Sequence, residues 1–303
     1  MKYFATALTG ALLFTSAAQA QIKAIGSTDR QYTDVQAFVQ QLAHDYPKTV
    51  SLFTLGTGDT GQPITGLKIG NGLIHNLLVS THHGNEYGST EVALAFAESI
   101  AKNPIQNQTL YVIPVLNIGG YNARNREETD SRGVSDDPNR NYPGPCGTEG
   151  PFTLKSTKAL ADFIDHESIV VSATMHTFFP AVVYPWGIST HDLNTPYMTE
   201  FTKLVNDATQ ESHYQIGNST EVIYPADGAY EDWAFWKHGI WSILFEVGET
   251  HTPDESQIKD MVATNVPGLR RMYENGPTQV ATQHEFTGRC DNMLARLRDR
   301  HDE

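Results

Sequence analysis

The chain has 303 residues, 39% of them hydrophobic, with 21 Lys and Arg against 35 Asp and Glu and a formal charge of −14. That length can build one large domain with a substantial core, while two full domains would be crowded. So acidic a surface argues against nucleic acid and anionic lipid as partners, since their phosphates attract basic patches.

Met1 to Ala20 carries Lys2, an apolar run from Phe4 to Phe14, and the small-residue ending Ala18-Gln19-Ala20. It reads as a secretory signal peptide, too short in its apolar part to anchor in a bilayer. Residues 21–303 are then the working domain, with the periplasm or the extracellular space as its destination. Val35 to Tyr46 reads as an amphipathic helix, and Thr49 to Leu55 and Ile64 to Ile69 as strands. A third strand-like run, Asn76 to Thr81, leads into His83-Gly84-Asn85-Glu86 and a helix-like run from Thr90 to Ala97. Thr109 to Leu116 is a buried strand of β-branched and aromatic residues. Helices are expected at Thr153 to His166, Tyr197 to Glu211 and Ser256 to Asn275, and a further one begins near Ala229. Between them, Ser168 to Met175 and Ile240 to Phe245 read as strands that end in His176 and Glu246. The Gly-, Pro- and Asn-rich stretches Gly119 to Thr153 and Gly187 to Pro196 are loops that rim a cleft. Arg289 to Glu303 is either a short charged helix or a frayed tail. The alternation defines the fold class: α/β, with a mixed, largely parallel twisted sheet flanked by helices on both faces.

Chemistry concentrates at strand ends, where open α/β sheets place their ligands. His83 and Glu86, three positions apart on the turn leaving a strand, can aim at one point above the sheet. A catalytic zinc site uses three protein ligands and leaves a fourth position open to water. His-x-x-Glu alone is a weak signal, because a surface turn with a solvated Glu produces it by chance. Three strand-like runs that each end in a metal-competent or base-competent side chain are hard to ascribe to chance. His82 reads as a packed neighbour, because ligation from it loses the three-residue spacing. His44, His191, His213, His238, His251 and His284 read as surface residues. Cys146 and Cys290 lack a metal-binding spacing; they form either one disulfide, as an oxidising compartment allows, or two buried thiols.

The order His83-x-x-Glu86, Asp137-Pro138-Asn139-Arg140-Asn141, His176, Tyr224, Glu246 resembles the zinc carboxypeptidase (funnelin) family over nearly all of the chain after residue 20. From Tyr224 through Tyr230-Glu231-Asp232-Trp233 to Glu246 the family's register fits without a gap. The resemblance implies one Zn2+ per chain held by His83, Glu86 and His176, with Glu246 as general base. It implies that Asp137 orients the first zinc histidine and that Asn139 and Arg140 grip a terminal carboxylate, which suits the planar, two-pronged guanidinium. Tyr224 would close over substrate. An arginine that polarises the scissile carbonyl is also implied. Arg124, Arg126 and Arg132 compete for that role, with Arg126 favoured by its place between Asn117 and the Gly133 turn. Asn85 departs from an arginine found in many digestive relatives.

Glu231 falls where the family lines the floor of the pocket for the terminal side chain, and an acidic residue there goes with Lys or Arg. It could instead cap the helix beginning near Ala229. The activity so implied is removal of single residues from peptides with a free C-terminus, by a monomer without nucleic-acid partner or membrane anchor, exported active. An amidase acting on peptidoglycan stem peptides shares the same chemistry. An inactive relative serving as a binding module is the reading from a different class, opposed by the intact ligand set and Glu246.

Overall fold

A computed structural model of the protein describes residues 22–147 and 151–291. The signal sequence read at Met1 to Ala20 and most of the Arg289 to Glu303 segment lie outside the described residues. Helix α1 (Tyr32–Asp45) starts where Gln31 and Asp34 bond each other's backbone N–H, satisfying groups that a helix end leaves open. Strands β1 (Val50–Thr57), β2 (Pro63–Gly70) and β3 (Ile74–Ser80) follow, then α2 (Tyr87–Lys102) and β4 (Gln108–Ile113). The long loop after β4 folds into α3 (Ile118–Ala123) and a two-residue ladder of β5 (Glu128–Thr129) with β6 (Ser135–Asp136). Next come α4 (Lys155–His166), β7 (Ile169–His176), β8 (Ala181–Tyr184), α5 (Met198–Ala208) and β9 (Gln215–Asn218). Short α6 (Ser219–Val222), α7 (Tyr230–His238), β10 (Trp241–Glu246) and α8 (Glu255–Asn275) complete the order.

Eight strands form one sheet in the order β1-β2-β4-β3-β7-β10-β8-β9. The four central strands run parallel, while β1, β2 and β8 introduce antiparallel pairings. Every residue of β4 and β7 is buried, as strands covered on both faces must be. The chain leaves β3 through α2 to β4 on one side, then crosses through α4 to β7 on the other. The carboxyl ends of β3 and β7 therefore flank a switch point, where such sheets open a ligand crevice. This is a single α/β domain with a mixed sheet.

Close contacts hold the crevice in shape. A Cβ on Gly84 would lie 1.9 Å from the Gly120 carbonyl carbon, so only glycine lets the loop after β3 pack this tightly on α3. Under the loop, Tyr142, Tyr230 and Trp233 pack ring against ring, with His82 beside Tyr142. Cys146 and Cys290 are joined in a disulfide, tying the loop after Tyr142 to the C-terminal region. Helix α8 runs through Pro267, and next to it Gly268 approaches the Ala208 carbonyl so closely that a Cβ would sit 2.0 Å away. The four-residue strands β8 and β9 were not legible in the sequence, being too short to show a period.

Candidate active site

Three ring and carboxylate groups converge at the crevice. His83 lies three residues past the end of β3, Glu86 immediately precedes α2, and His176 is the last residue of β7. His83 Nδ1 stands 2.8 Å from Glu86 Oε1, His176 Nδ1 stands 3.0 Å from Glu86 Oε2, and the two Nδ1 atoms are 3.2 Å apart. Donors about 2.05 Å from one tetrahedral ion lie about 3.3 Å from each other. The cluster thus has the dimensions of a zinc site already formed, and among the described residues it is the one such His, Cys, Asp and Glu group. His83 Nε2 faces Asp137 Oδ1 at 3.0 Å; with that nitrogen donating its proton, Nδ1 presents its lone pair to the cluster. Burial pulls the His83 pKa down, but Glu86 and Asp137 outweigh it and raise it to about 9. The negative charge that holds a proton there would equally attract a cation. Glu86 is raised by burial and then held far below the ordinary carboxylate range by His83 and His176.

Glu246 ends β10 opposite His176, which ends β7. Its Oε2 is shielded and has no hydrogen-bond partner among the described residues. Burial, then the Glu86 charge, push its pKa well above the usual carboxylate value, against a smaller pull from His83 and Arg126. Of the three competing arginines, only Arg126 reaches this centre. It clamps Asp137 Oδ2 through Nε at 3.0 Å and Nη2 at 2.8 Å, and its Nη1 lies 3.3 Å from His83 Nδ1. Arg124 is a left-handed helix cap whose guanidinium turns to the Tyr121 and Arg30 carbonyls. Arg132 pairs with Asp130 on an exposed loop.

Two cavities meet at His83, Tyr224 and Glu246. One is lined by Asn139, Arg140, Glu231 and Asp232. Arg140 Nη2 donates to the Tyr224 hydroxyl at 3.3 Å, and Asn139 Oδ1 accepts from Tyr230 N at 2.9 Å. Glu231 sits in the first turn of α7, yet it is 5% exposed and accepts from the Thr174 hydroxyl of β7. It is both a helix-start residue and part of the cavity wall. The other cavity is lined by Arg126, Phe178, Phe179 and His251. His251 is therefore a wall of the cleft rather than an ordinary surface residue, with its ring 4.8 Å from that of Phe178. No periodicity marks it, because it lies in a loop. Asp232 was also missed, though its place beside Glu231 in one helical turn was a usable signal. His82 is buried, bonded to the Tyr142 hydroxyl at 3.0 Å and kept neutral by burial, outside the ligand cluster.

A sheet crevice with two histidines and a glutamate preset for a metal, and a buried carboxylate beside them, has the parts of a zinc hydrolase centre. The family model for zinc carboxypeptidases matches residues 35–268, and the chain belongs to that family. Carboxypeptidase B of Homo sapiens is 27% identical over 277 residues, covering 76% of this chain and 66% of that protein. Carboxypeptidase B of Astacus astacus is 28% identical over 253 residues, covering 69% and 82%. The match thus spans just under two thirds of the human relative's length. Among solved structures, bovine thrombin-activatable fibrinolysis inhibitor bound to tick carboxypeptidase inhibitor superposes with TM-score 0.73 at 20% identity, over 80% of this chain and 95% of that one. Murein-tripeptide amidase of Escherichia coli O157 reaches TM-score 0.52 at 14% identity, over 75% and 93%. At such identities the superpositions establish the fold alone.

Proposed function

We propose that residues 21–303 form a metallocarboxypeptidase domain that releases single residues from peptides with a free C-terminus, preferring Lys or Arg. The observation that carries this is the meeting of the His83, Glu86 and His176 cluster with two cavities, one of them holding Asn139, Arg140 and the buried Glu231. Those three ligands would hold Zn2+, which when bound polarises a carbonyl and lowers the pKa of water towards about 7. Glu246 accepts the proton of the attacking water and returns it to the leaving amine nitrogen. Arg126, fixed by Asp137, faces the carbonyl oxygen as it gains charge. Asn139 and Arg140 bind the terminal carboxylate, and Tyr224, already bonded to Arg140, covers it.

The basic preference rests on Glu231. Among the described residues no cationic side chain bonds to it, and a buried carboxylate without a counter-charge is costly. A substrate cation would complete it. The disulfide fits a chain exported to an oxidising compartment, as the leader read at Met1 to Ala20 implies.

A set of peptides differing in their last residue, with and without a C-terminal amide, followed by mass detection, tests this. Stepwise loss of Lys or Arg from free ends is expected, and Glu231→Gln should shift preference towards neutral ends. An enzyme that prefers Leu or Phe ends the basic-pocket reading. Cleavage of cell-wall stem peptides but not ordinary ones would make it an amidase.

A further inference from the structure

Glu246 is the base of the proposed reaction, yet its Oε2 has no hydrogen-bond partner among the described residues to aim it. The backbone that follows is held instead. Val247 N donates to His176 O at 2.9 Å, and Gly248 N donates to the Tyr214 hydroxyl at 3.1 Å. Gly248 turns the chain at φ +74°, a left-handed conformation that glycine adopts without strain, and the turn leads on to His251 against Phe178. Tyr214 immediately precedes β9, and its hydroxyl also accepts from Asn265 Nδ2 of α8 at 3.4 Å. Asn265 is fully buried and donates as well to the Met261 carbonyl at 2.9 Å, so the hydroxyl is tied to the body of α8. Tyr214 and Gly248 line a cavity that shares no residue with the two cavities at the His83 cluster. Tyr214 is thus placed to act on the site without touching what binds there.

We infer that Tyr214 is a positioning residue for Glu246, acting through the Gly248 turn from outside the cleft. The inference rests on the proposed role of Glu246 as base. Proton transfer needs the base within hydrogen-bond reach of the attacking water, and a misplacement of about 1 Å can cost about 10²-fold in rate. With Oε2 unbonded, the carboxylate inherits its place from the chain on either side. Pairing of β10 with β7 and β8 fixes the residues up to Glu246, and the bonds at Val247 and Gly248 fix those after it. Of those last two bonds, only the one at Gly248 depends on a side chain. The terminal-carboxylate grip at Asn139, Arg140 and Tyr224 comes from other segments, so loss of the Tyr214 hydroxyl is felt in proton transfer rather than in binding.

Tyr214→Phe removes one oxygen and keeps the ring. In the zinc-loaded enzyme it should lower kcat about tenfold, leave KM within about twofold and leave zinc stoichiometric. Combining it with Glu246→Gln asks whether the loss passes through the base. Once the base is gone, adding Tyr214→Phe should change kcat by less than about twofold. The same tenfold loss in both backgrounds overturns the inference, as does an unchanged kcat in the single variant, a loss carried by KM, or a loss of zinc. If Tyr214→Phe does not fold, hydrogen exchange at the Gly248 amide of wild type decides. Protection of that amide supports the inference, and exchange at the rate of an unbonded loop amide overturns it. Turnover by Glu246→Gln alone within a few-fold of wild type would remove the base itself and the inference with it, whereas the other overturning results leave the proposed reaction standing.

Discussion

Two buried glutamates stand five residues apart, Glu86 capping α2 and Glu91 within it, and they differ in where their counter-charge comes from. Glu91 is 0% exposed and is met by Arg30, with Nε at 2.5 Å from Oε1 and Nη2 at 3.3 Å from Oε2, and by the backbone N–H of Gly26 and Ser27. Glu86, 1% exposed, is hydrogen-bonded by the imidazole nitrogens of His83 and His176, while the Arg126 guanidinium stands off at 3.9 Å. Glu91 is neutralised by a cation the chain supplies, so it serves the fold by pinning residues 24–30 to α2. Glu86 is surrounded by groups that bind a metal as readily as a proton, so it serves a site. A buried carboxylate signals function when its partners are lone-pair donors rather than a fixed cation.

The largest effect that would separate the two is metal removal. Chelation should abolish hydrolysis while circular dichroism and the unfolding midpoint change little, because Glu91 and the sheet do not depend on the ion; full turnover in metal-free protein would break the contrast. Glu246→Gln should keep stoichiometric zinc and lose about 10² to 10⁴ in rate, since the amide cannot accept the proton. Turnover within a few-fold of wild type would place the base elsewhere. Glu91→Gln should do the opposite, costing about 3 to 5 kcal/mol of stability by leaving Arg30 buried and unpaired. Denaturant unfolding reads that loss, and kcat of the folded fraction should be unchanged. A stable Glu91→Gln protein would mean that this pair contributes little to the fold. Smallest is Arg140→Ala, which should raise KM for free C-termini by the equivalent of about 1.5 to 3 kcal/mol and spare amide-blocked analogues. Equal losses on both would argue against a carboxylate grip.

Much of this was legible before any fold was known, and the reasons are local. Strand and helix positions followed hydrophobic periodicity: Asn76 to Thr81 is β3 shifted by two residues at its start, and Ser256 to Asn275 is α8 despite Pro267. The ligand set was legible because His83 and Glu86 share one turn and His176 ends an apolar run. In a parallel sheet, neighbouring strands point the same way, so their ends gather without further instruction.

What the tertiary structure alone decided concerns groups joined by no period. Arg124 and Arg126 stand two residues apart in one loop, and only the left-handed cap at Arg124 turns that side chain towards Arg30 and leaves Arg126 facing Glu86. The pairing of Cys146 with Cys290, 144 residues apart, depends on where two loops come to rest. His251 reaches the cleft because Phe178 packs against it. Glu231 was ambiguous between helix start and pocket wall because it is both, a conclusion that needed β7 in place beneath α7. The sequence by itself therefore determined the fold class and singled out His83, Glu86 and His176, through periodicity and strand-end position. Which arginine faces Glu86, the disulfide and the place of Glu231 in the cavity wall depended on packing between segments far apart in the chain, which no local pattern encodes.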